Sequence, residues 1–485
     1  MAPATHDQEN LKRENILYDI YGALKGGNFH GIVDDIVGNL LGISRALFLM
    51  AIFVGLTAAL WRELPDLPML AFGWLIGTMP IWILPASIGM AWGWWMWYAQ
   101  SWQESIKKKI LLEVKIPHTV VKSPRAMEMV FTHLDLGGAD NTFLNRIWNG
   151  GFPPRFSFEL VSFGGEVHMY VWTWEVFRRS VEEAFYAQYP EVEIVEAEDY
   201  AMKFKPQPEK WRTVCWDYRL EPRNDAYPFK TYLDWEMEDE GEEEYKIDPF
   251  AQVMETLSSM KPNEQGWVQI IISKNKDKAP EHHGKWYQTT DRFKLLVHEA
   301  VDKIRMELIT GLDHAPTTDE EKEKVEKMKS WRATAARVEQ FHVNEVLRSI
   351  ERNATKPHFI VGMRAAYMVS PPSSFSGAGF NNFRWMWRPF ADPEYRNQIR
   401  HRRWHPALDY PYQDLWDMRF QLIARRFLDC YRRRGHFNPP WILPHNIWSV
   451  EMLASVWHPP SHGVEAHGLQ HIESKKKEAP HNLPT

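Results

Sequence analysis

Cysteine is almost absent: Cys215 and Cys430 are the two thiols in 485 residues. Two thiols make neither a disulfide framework nor a zinc quartet. Both fall in stretches that read as strand or helix, so they are expected to be buried and reduced. A large excess of one charge is missing too. A net charge of −6 gives no general basic face, which removes broad nucleic-acid binding as the default reading. Catalytic signatures are also lacking. There is no G-x-x-x-x-G-K-[ST], hence no phosphate-cradling loop. His298-Glu299 lacks a second histidine at i+4, and Ser376 in SFSGAG does not fit G-x-S-x-G. The close histidine pairs, His282-His283 and His401/His405, have no evident third metal ligand. No catalytic, cofactor-binding or metal-ligating residue is assigned, no cofactor is expected, and the chain reads as non-enzymatic.

What is abundant is tryptophan, 24 residues, a side chain suited to membrane interfaces and partner surfaces as well as cores. It concentrates near two uncharged runs. Ala46–Leu60, extended back across Arg45 to Leu40, gives about 20 residues, the length that spans a bilayer core. Residues 67–99 carry Trp74, Trp82, Trp92, Trp94, Trp95 and Trp97. At about 1.5 Å per residue this run is about 50 Å long as one helix. It reads as one long kinked pass, with two short passes broken at Pro80 and Pro85 as the alternative. Lys12, Arg13 and Lys25 precede the first run, and Lys107, Lys108 and Lys109 follow the second as a membrane flank. The pattern predicts a transmembrane helical hairpin over 40–106 after a cytoplasmic segment 1–39, with membrane lipids as partners and the bulk of the chain cytoplasmic.

Beyond residue 107 the fold class is α+β. Phe156, Phe158 and Leu160 alternate with Ser157 and Glu159, and Val167, Met169 and Val171 with His168, Tyr170 and Trp172. Gly164-Gly165 lies between these runs, which predicts a β-hairpin. A helix carrying Phe177, Val181, Ala184 and Phe185 follows, then a strand at Val192–Ile194. With the strand Ile110–Ile116 and the helical stripe Met127, Val130, Phe131, Leu134 in front, the order over 107–205 is β-α-β-β-α-β, a ferredoxin-like sandwich. Such a sheet is helix-covered on one face and leaves the other for a partner. Residues 206–370 are expected to form a second α+β sandwich of the same type with long helices. Its strands are placed at Val214–Leu220, Tyr227–Trp235, Gly266–Ser273 and His358–Val369. The acidic run Glu236–Glu244 between them reads as a solvated loop.

Residues 371–461 form an Arg- and Trp-rich, partly helical carboxyl-terminal region, and 462–485 read as a disordered tail. Arg384, Arg388, Arg400, Arg402, Arg403, Trp385 and Trp387 form one basic-aromatic stretch. Arg432, Arg433 and Arg434 close a helix that starts near Asp414. These residues suit contact with lipid headgroups or protein, including the acidic run of a neighbouring subunit. The alternative is single-stranded nucleic acid held by phosphate contact and stacking.

LLEVKIP, KSPRAMEMVF, FSFELVSFGGEVHMYVWT, VEEAFYAQYPEVEIVEAEDY and HFIVGMRAAYMV resemble the accessory, non-motor region of conjugative-transfer (type IV secretion-like) ATPases. They are more similar still to an uncharacterised membrane protein family related to that region. Ile442–Ser461 resembles the segment that precedes the motor domain, through Glu451, Leu453, Ala454, Trp457, His458 and Pro459. The chain stops where a motor would begin, so the resemblance implies no ATPase activity. It implies a membrane-anchored scaffold at a bacterial inner membrane, forming a homo-oligomer or docking a separate P-loop motor ATPase.

Overall fold

The computed structural model describes residues 66–117, 122–136, 142–204, 211–235, 237, 247–276, 278–280, 289–310, 339–370, 377–392, 396–404, 418–460, 468 and 471–472. Chain contacts divide the protein after Trp94. In the first unit the described residues are those of helix α1 (Asp66–Ile106) up to Trp94.

The second unit is built on one sheet. Its first half runs β1 (Lys109–Pro117), α2 (Arg125–His133), α3 (Phe143–Trp148), β2 (Arg155–Phe163), β3 (Glu166–Trp174), α4 (Arg178–Gln188), β4 (Glu193–Ala197) and α5 (Tyr200–Lys203). The second half runs β5 (Arg212–Glu221), α6 (Phe250–Ser258), β6 (Glu264–Lys274), the small hairpin β7 (Lys278–Pro280) and β8 (Thr289–Asp291), and α7 (Arg292–Thr310). It continues with α8 (Glu339–Thr355), β9 (His358–Val369), α9 (Gly377–Trp385), β10 (Gln398–Arg403), α10 (Met418–Arg432), β11 (Asn446–Ser449), α11 (Val450–Val456) and β12 (His471–Ile472).

The strand order is β10-β5-β9-β6-β2-β3-β1, with β4 on the far side of β1 and β11 beside β9. Within each half, numbering the four long strands in chain order gives the spatial order 4-1-3-2. The halves join through β2 and β6, which pair antiparallel from Arg155↔Ser273 to Phe163↔Gln265. The expected hairpin is present: β2 and β3 pair from Ser157↔Trp172 to Phe163↔Glu166. Gly164 and Gly165 turn it at φ +63° and +102°, and a Cβ on Gly165 would lie 2.9 Å from the carbonyl oxygens of Met260 and Ser258.

Both faces of the sheet are covered by this chain. On one, Phe156, Phe158, Leu160, Val268 and Ile270 pack beneath α2, α4, α6 and α11. On the other, Trp172, Tyr200, Trp267 and Tyr431 pack with Phe427 and Leu428 of α10. This accounts for β2, in which eight of nine residues are buried although its sequence alternates apolar and polar. Both cysteines are buried and free.

Three expectations are corrected. The α+β class stands, but the two sandwiches are not separate, because β2–β6 pairing fuses them into a single sheet. The transmembrane hairpin is not supported, and with it falls the description of the chain as a transmembrane protein. Its first run, 40–60, lies outside the described residues. The second is one continuous helix, α1, yet among the described residues no helix is long and apolar enough to cross a membrane. Tryptophan, glycine and proline interrupt its aliphatic residues, which are the ones that favour insertion. Its last turns also dock on the sheet unit: Trp95 Nε1 donates to Ile147 O at 2.9 Å, and Ala99 is buried. Finally, Tyr227–Trp235 is not a strand. It ends in a single 3-10 turn, Tyr232–Trp235, with Thr231 N donating to Asp234 Oδ2.

Candidate functional site

Strand alternation places a row of polar residues under α10. Register aligns Glu113, Tyr170, Glu159, Gln269, Arg364, Asp217 and Arg402 across seven neighbouring strands. Glu159 is its hub. It accepts from Ser157 Oγ at 2.7 Å, Gln269 Nε2 at 2.9 Å and Tyr200 OH at 2.6 Å. Tyr200 gives its proton to Glu159, so Tyr431 OH, 2.8 Å away, is the donor between the two phenols. Burial, with the Glu159 charge beside it, raises both phenol pKa values well above the ordinary range. Arg434 closes the hub by binding Glu159 and Asp199. Burial pulls its guanidinium pKa down, but the two carboxylates outweigh this and the net shift is upward.

Next in the row, the buried Arg364 donates to Cys430 Sγ at 2.7 Å, Gly435 O at 2.6 Å and His436 Nδ1 at 2.9 Å. His436 Nε2 faces Pro444 O at 3.1 Å. That pair of contacts fixes a neutral imidazole protonated on Nε2. Burial, followed by the Arg364 charge, holds its pKa well below the ordinary value.

A second buried network lies on the opposite side. Glu451, on α11, accepts from Arg352 Nη2 at 2.8 Å, Lys356 Nζ at 2.8 Å and Thr231 Oγ1 at 2.6 Å. Lys356 also binds Glu128, which accepts from Tyr232 OH at 2.7 Å. The stretch Glu451–Pro459, singled out for its pre-motor likeness, is buried throughout. Leu453, Ala454 and Trp457 join the core, and His458 pairs with Asp248 at 3.1 Å.

The arginine stretch divides between interior and surface. Arg434 is buried. Arg432 donates to the carbonyls of Ala201 and Phe204, and exposed Arg433 pairs with Asp429 one turn away. Trp387 is buried, whereas Trp385 is 39% exposed. Arg384, Arg388, Arg400, Arg402, Arg403 and Trp385 all lie at or beside β10, and Arg400 and Arg402 both reach Glu221. Among the lysines of the flank, Lys107 lies 3.3 Å above the Trp174 ring. Burial lowers its pKa to about 8 against the opposing pull of Glu104. Lys108 pairs with Glu175 and Lys109 with Glu104.

Sequence reasoning missed an open cleft of about 730 Å³ lined by Asp135, Lys274, Asp291, His298, Lys356 and His358, among others. His358 Nε2 lies 3.1 Å from Asp291 Oδ2, and its ring meets that of Phe293 at a tilt, 4.6 Å between centroids. His298 was visible only as half of a failed zinc motif. His282, His283 and His405 lie outside the described residues. Among the described residues no group of three His, Cys, Asp or Glu side chains converges on a metal position. No family model, curated protein or solved structure matches this chain.

Proposed function

We propose that this protein is a non-enzymatic scaffold that works as a homo-oligomer, assembled through helix α1. The observation that carries the reading is the exposure of apolar side chains over more than half of that helix's circumference. Met69, Trp74, Ile81, Leu84, Ile88, Met90 and Trp94 are each more than half exposed, and at about 100° per residue they span an arc of about 200°. A helix that exposes this much apolar surface is one that something else buries. It lacks the polar face of a helix lying on a membrane surface. Further copies of the same helix meet the requirement, because each presents the same unsatisfied surface. The buried charge networks support a structural role for the rest of the chain, since Glu159, Arg434, Glu451 and Arg352 bind one another rather than a cleft.

The resemblance to the accessory region of conjugative-transfer ATPases supplies the assembly class, a type IV secretion-like translocation complex whose motor is a separate chain. The native mass of the full-length protein tests the reading. A multiple of 57.1 kDa at micromolar concentration is expected, and co-purification of a P-loop ATPase would identify the motor. A monomer at every concentration overturns it.

A further inference from the structure

The outer edge of β10 is the second surface the fold leaves open. β10 has β5 on one side and, among the described residues, no strand on the other. Its arginines fall on both faces of the sheet, because register sets Arg402 and Arg400 opposite Asp217 and Arg219, and Arg403 and His401 opposite Trp216 and Tyr218. On the second face Arg384 joins them, its guanidinium 5.5 Å from the Trp385 ring, and His401 meets the same ring at 4.7 Å. Among the described residues, Arg384, Arg388 and Arg403 have no carboxylate within ion-pair distance, and His401 Nδ1 is buried without a partner. Burial and the surrounding arginines, Arg384 foremost, push the His401 pKa down to about 4. Among the described residues the site therefore holds several like charges, with Glu221 as the carboxylate that Arg400 and Arg402 reach.

Charged side chains on an edge strand normally keep other strands away. The same charges attract a strand of opposite sign. The sequence contains one: beyond Met237, which is buried in its own core, Glu238–Glu244 (EDEGEEE) has carboxylates at consecutive positions, so an extended run of it would present acid to both faces at once. We infer that the open edge of β10 receives the acidic residues Glu238–Glu244 of a second copy of this chain as an added strand. Main-chain hydrogen bonds would set its register, and Arg403 and Arg384 on one face, with Arg400 and Arg402 on the other, would bind its carboxylates. A nucleic-acid strand offers anions but no backbone amides to complete a strand edge. The inference takes its partner from the self-assembly reading, yet it concerns a different surface from α1.

A labelled peptide of residues 236–246 titrated against the full-length protein tests it by fluorescence anisotropy. Binding is expected, weakening as salt rises. R384Q/R403Q should reduce it by about tenfold or more, and R433Q, remote in its pairing with Asp429, should leave it unchanged. A peptide N-methylated at alternate amides keeps every charge but cannot pair as a strand, and should not bind. Undiminished binding of the methylated peptide, equal binding by R384Q/R403Q, or displacement of the peptide by a lower concentration of oligothymidylate would each overturn the inference. Weaker self-association of the R384Q/R403Q protein than of the wild type supports it. A monomeric wild-type protein would overturn both readings, whereas an oligomer that persists undiminished in R384Q/R403Q would overturn the edge assignment and leave the α1 assembly standing.

Discussion

Arg434 lies against Glu159 as a two-pronged pair, Nε to Oε1 at 3.0 Å and Nη2 to Oε2 at 3.1 Å, with both side chains fully buried. The two residues are 275 apart in sequence. They join the turn after α10 to the centre of the first half of the sheet. Arg434 reaches inward because its own backbone turns at φ 46°, which reverses the chain after α10.

Removing one partner leaves an uncompensated buried charge, which costs about 3–5 kcal/mol. Arg434→Met is therefore expected to destabilise strongly. The double variant Arg434→Met, Glu159→Gln should cost clearly less than the sum of the single changes, because the stranded charge is gone. Urea midpoints for the four proteins measure this. A single-variant cost below about 1 kcal/mol would show that the pair contributes no more than a surface ion pair.

His436 makes the fold acid-sensitive. In the unfolded chain it titrates at its ordinary value, near pH 6.5. In the folded chain burial beside Arg364, with Arg219 as a further positive neighbour, holds it neutral well below that. The unfolded state therefore binds the extra proton first, so stability is full above about pH 6.5 and is lost as pH falls. The limiting slope is about 1.4 kcal/mol per pH unit for one proton. His401, with a folded value of about 4, adds in the same direction, though less because it is partly exposed. Urea midpoints between about pH 5 and pH 6.5 should fall less steeply for His436→Gln than for the wild type. Parallel slopes would mean that His436 takes up a proton in the folded state.

The sequence announced local structure well and global pairing poorly, for physical reasons. Gly164-Gly165 between two alternating runs identified the hairpin, since a glycine turn and period-two alternation are local signals. The β2–β6 pairing that fuses the halves joins strands about a hundred residues apart and leaves no local mark. Ser157 and Glu159 looked like a face left for solvent or a partner. They are buried because α10, far along the chain, supplies the cover and Arg434 the counter-charge. The run Arg432–Arg434 looked like surface for the same reason, since consecutive charges carry no sign of a turn that aims one of them inward. The Asp291–His358 pair was equally hidden, because its members stand 67 residues apart.

Glu451 ties α8 and α11 together. It is fully buried and binds Arg352, Lys356 and Thr231. Gln keeps the shape but removes the charge that offsets two cations. Glu451→Gln is expected to cost about 3 kcal/mol or more. Hydrogen exchange should locate the damage, with faster exchange in α8 and α11 and unchanged rates in the β2–β3 hairpin. Uniform acceleration across the sheet would show instead that the network holds the whole fold.

The exposed side chains of α1 give the most direct test of assembly. Trp74, Ile81 and Trp94 stand open on the helix and belong to no buried cluster, so replacing them should leave the folded monomer intact. In an oligomer they are buried, and each is worth about 1.5–3 kcal/mol. Trp74→Gln, Ile81→Gln and Trp94→Gln together should weaken association by about 5 kcal/mol or more, which is more than a thousandfold in Kd. Light scattering across a dilution series should then give a smaller mass than the wild type at each concentration, with the urea midpoint of the sheet unit unchanged. An unaltered oligomer would move the interface off α1. A fallen midpoint would show that these side chains stabilise the single chain, and that the surface they form is not held open for a second copy.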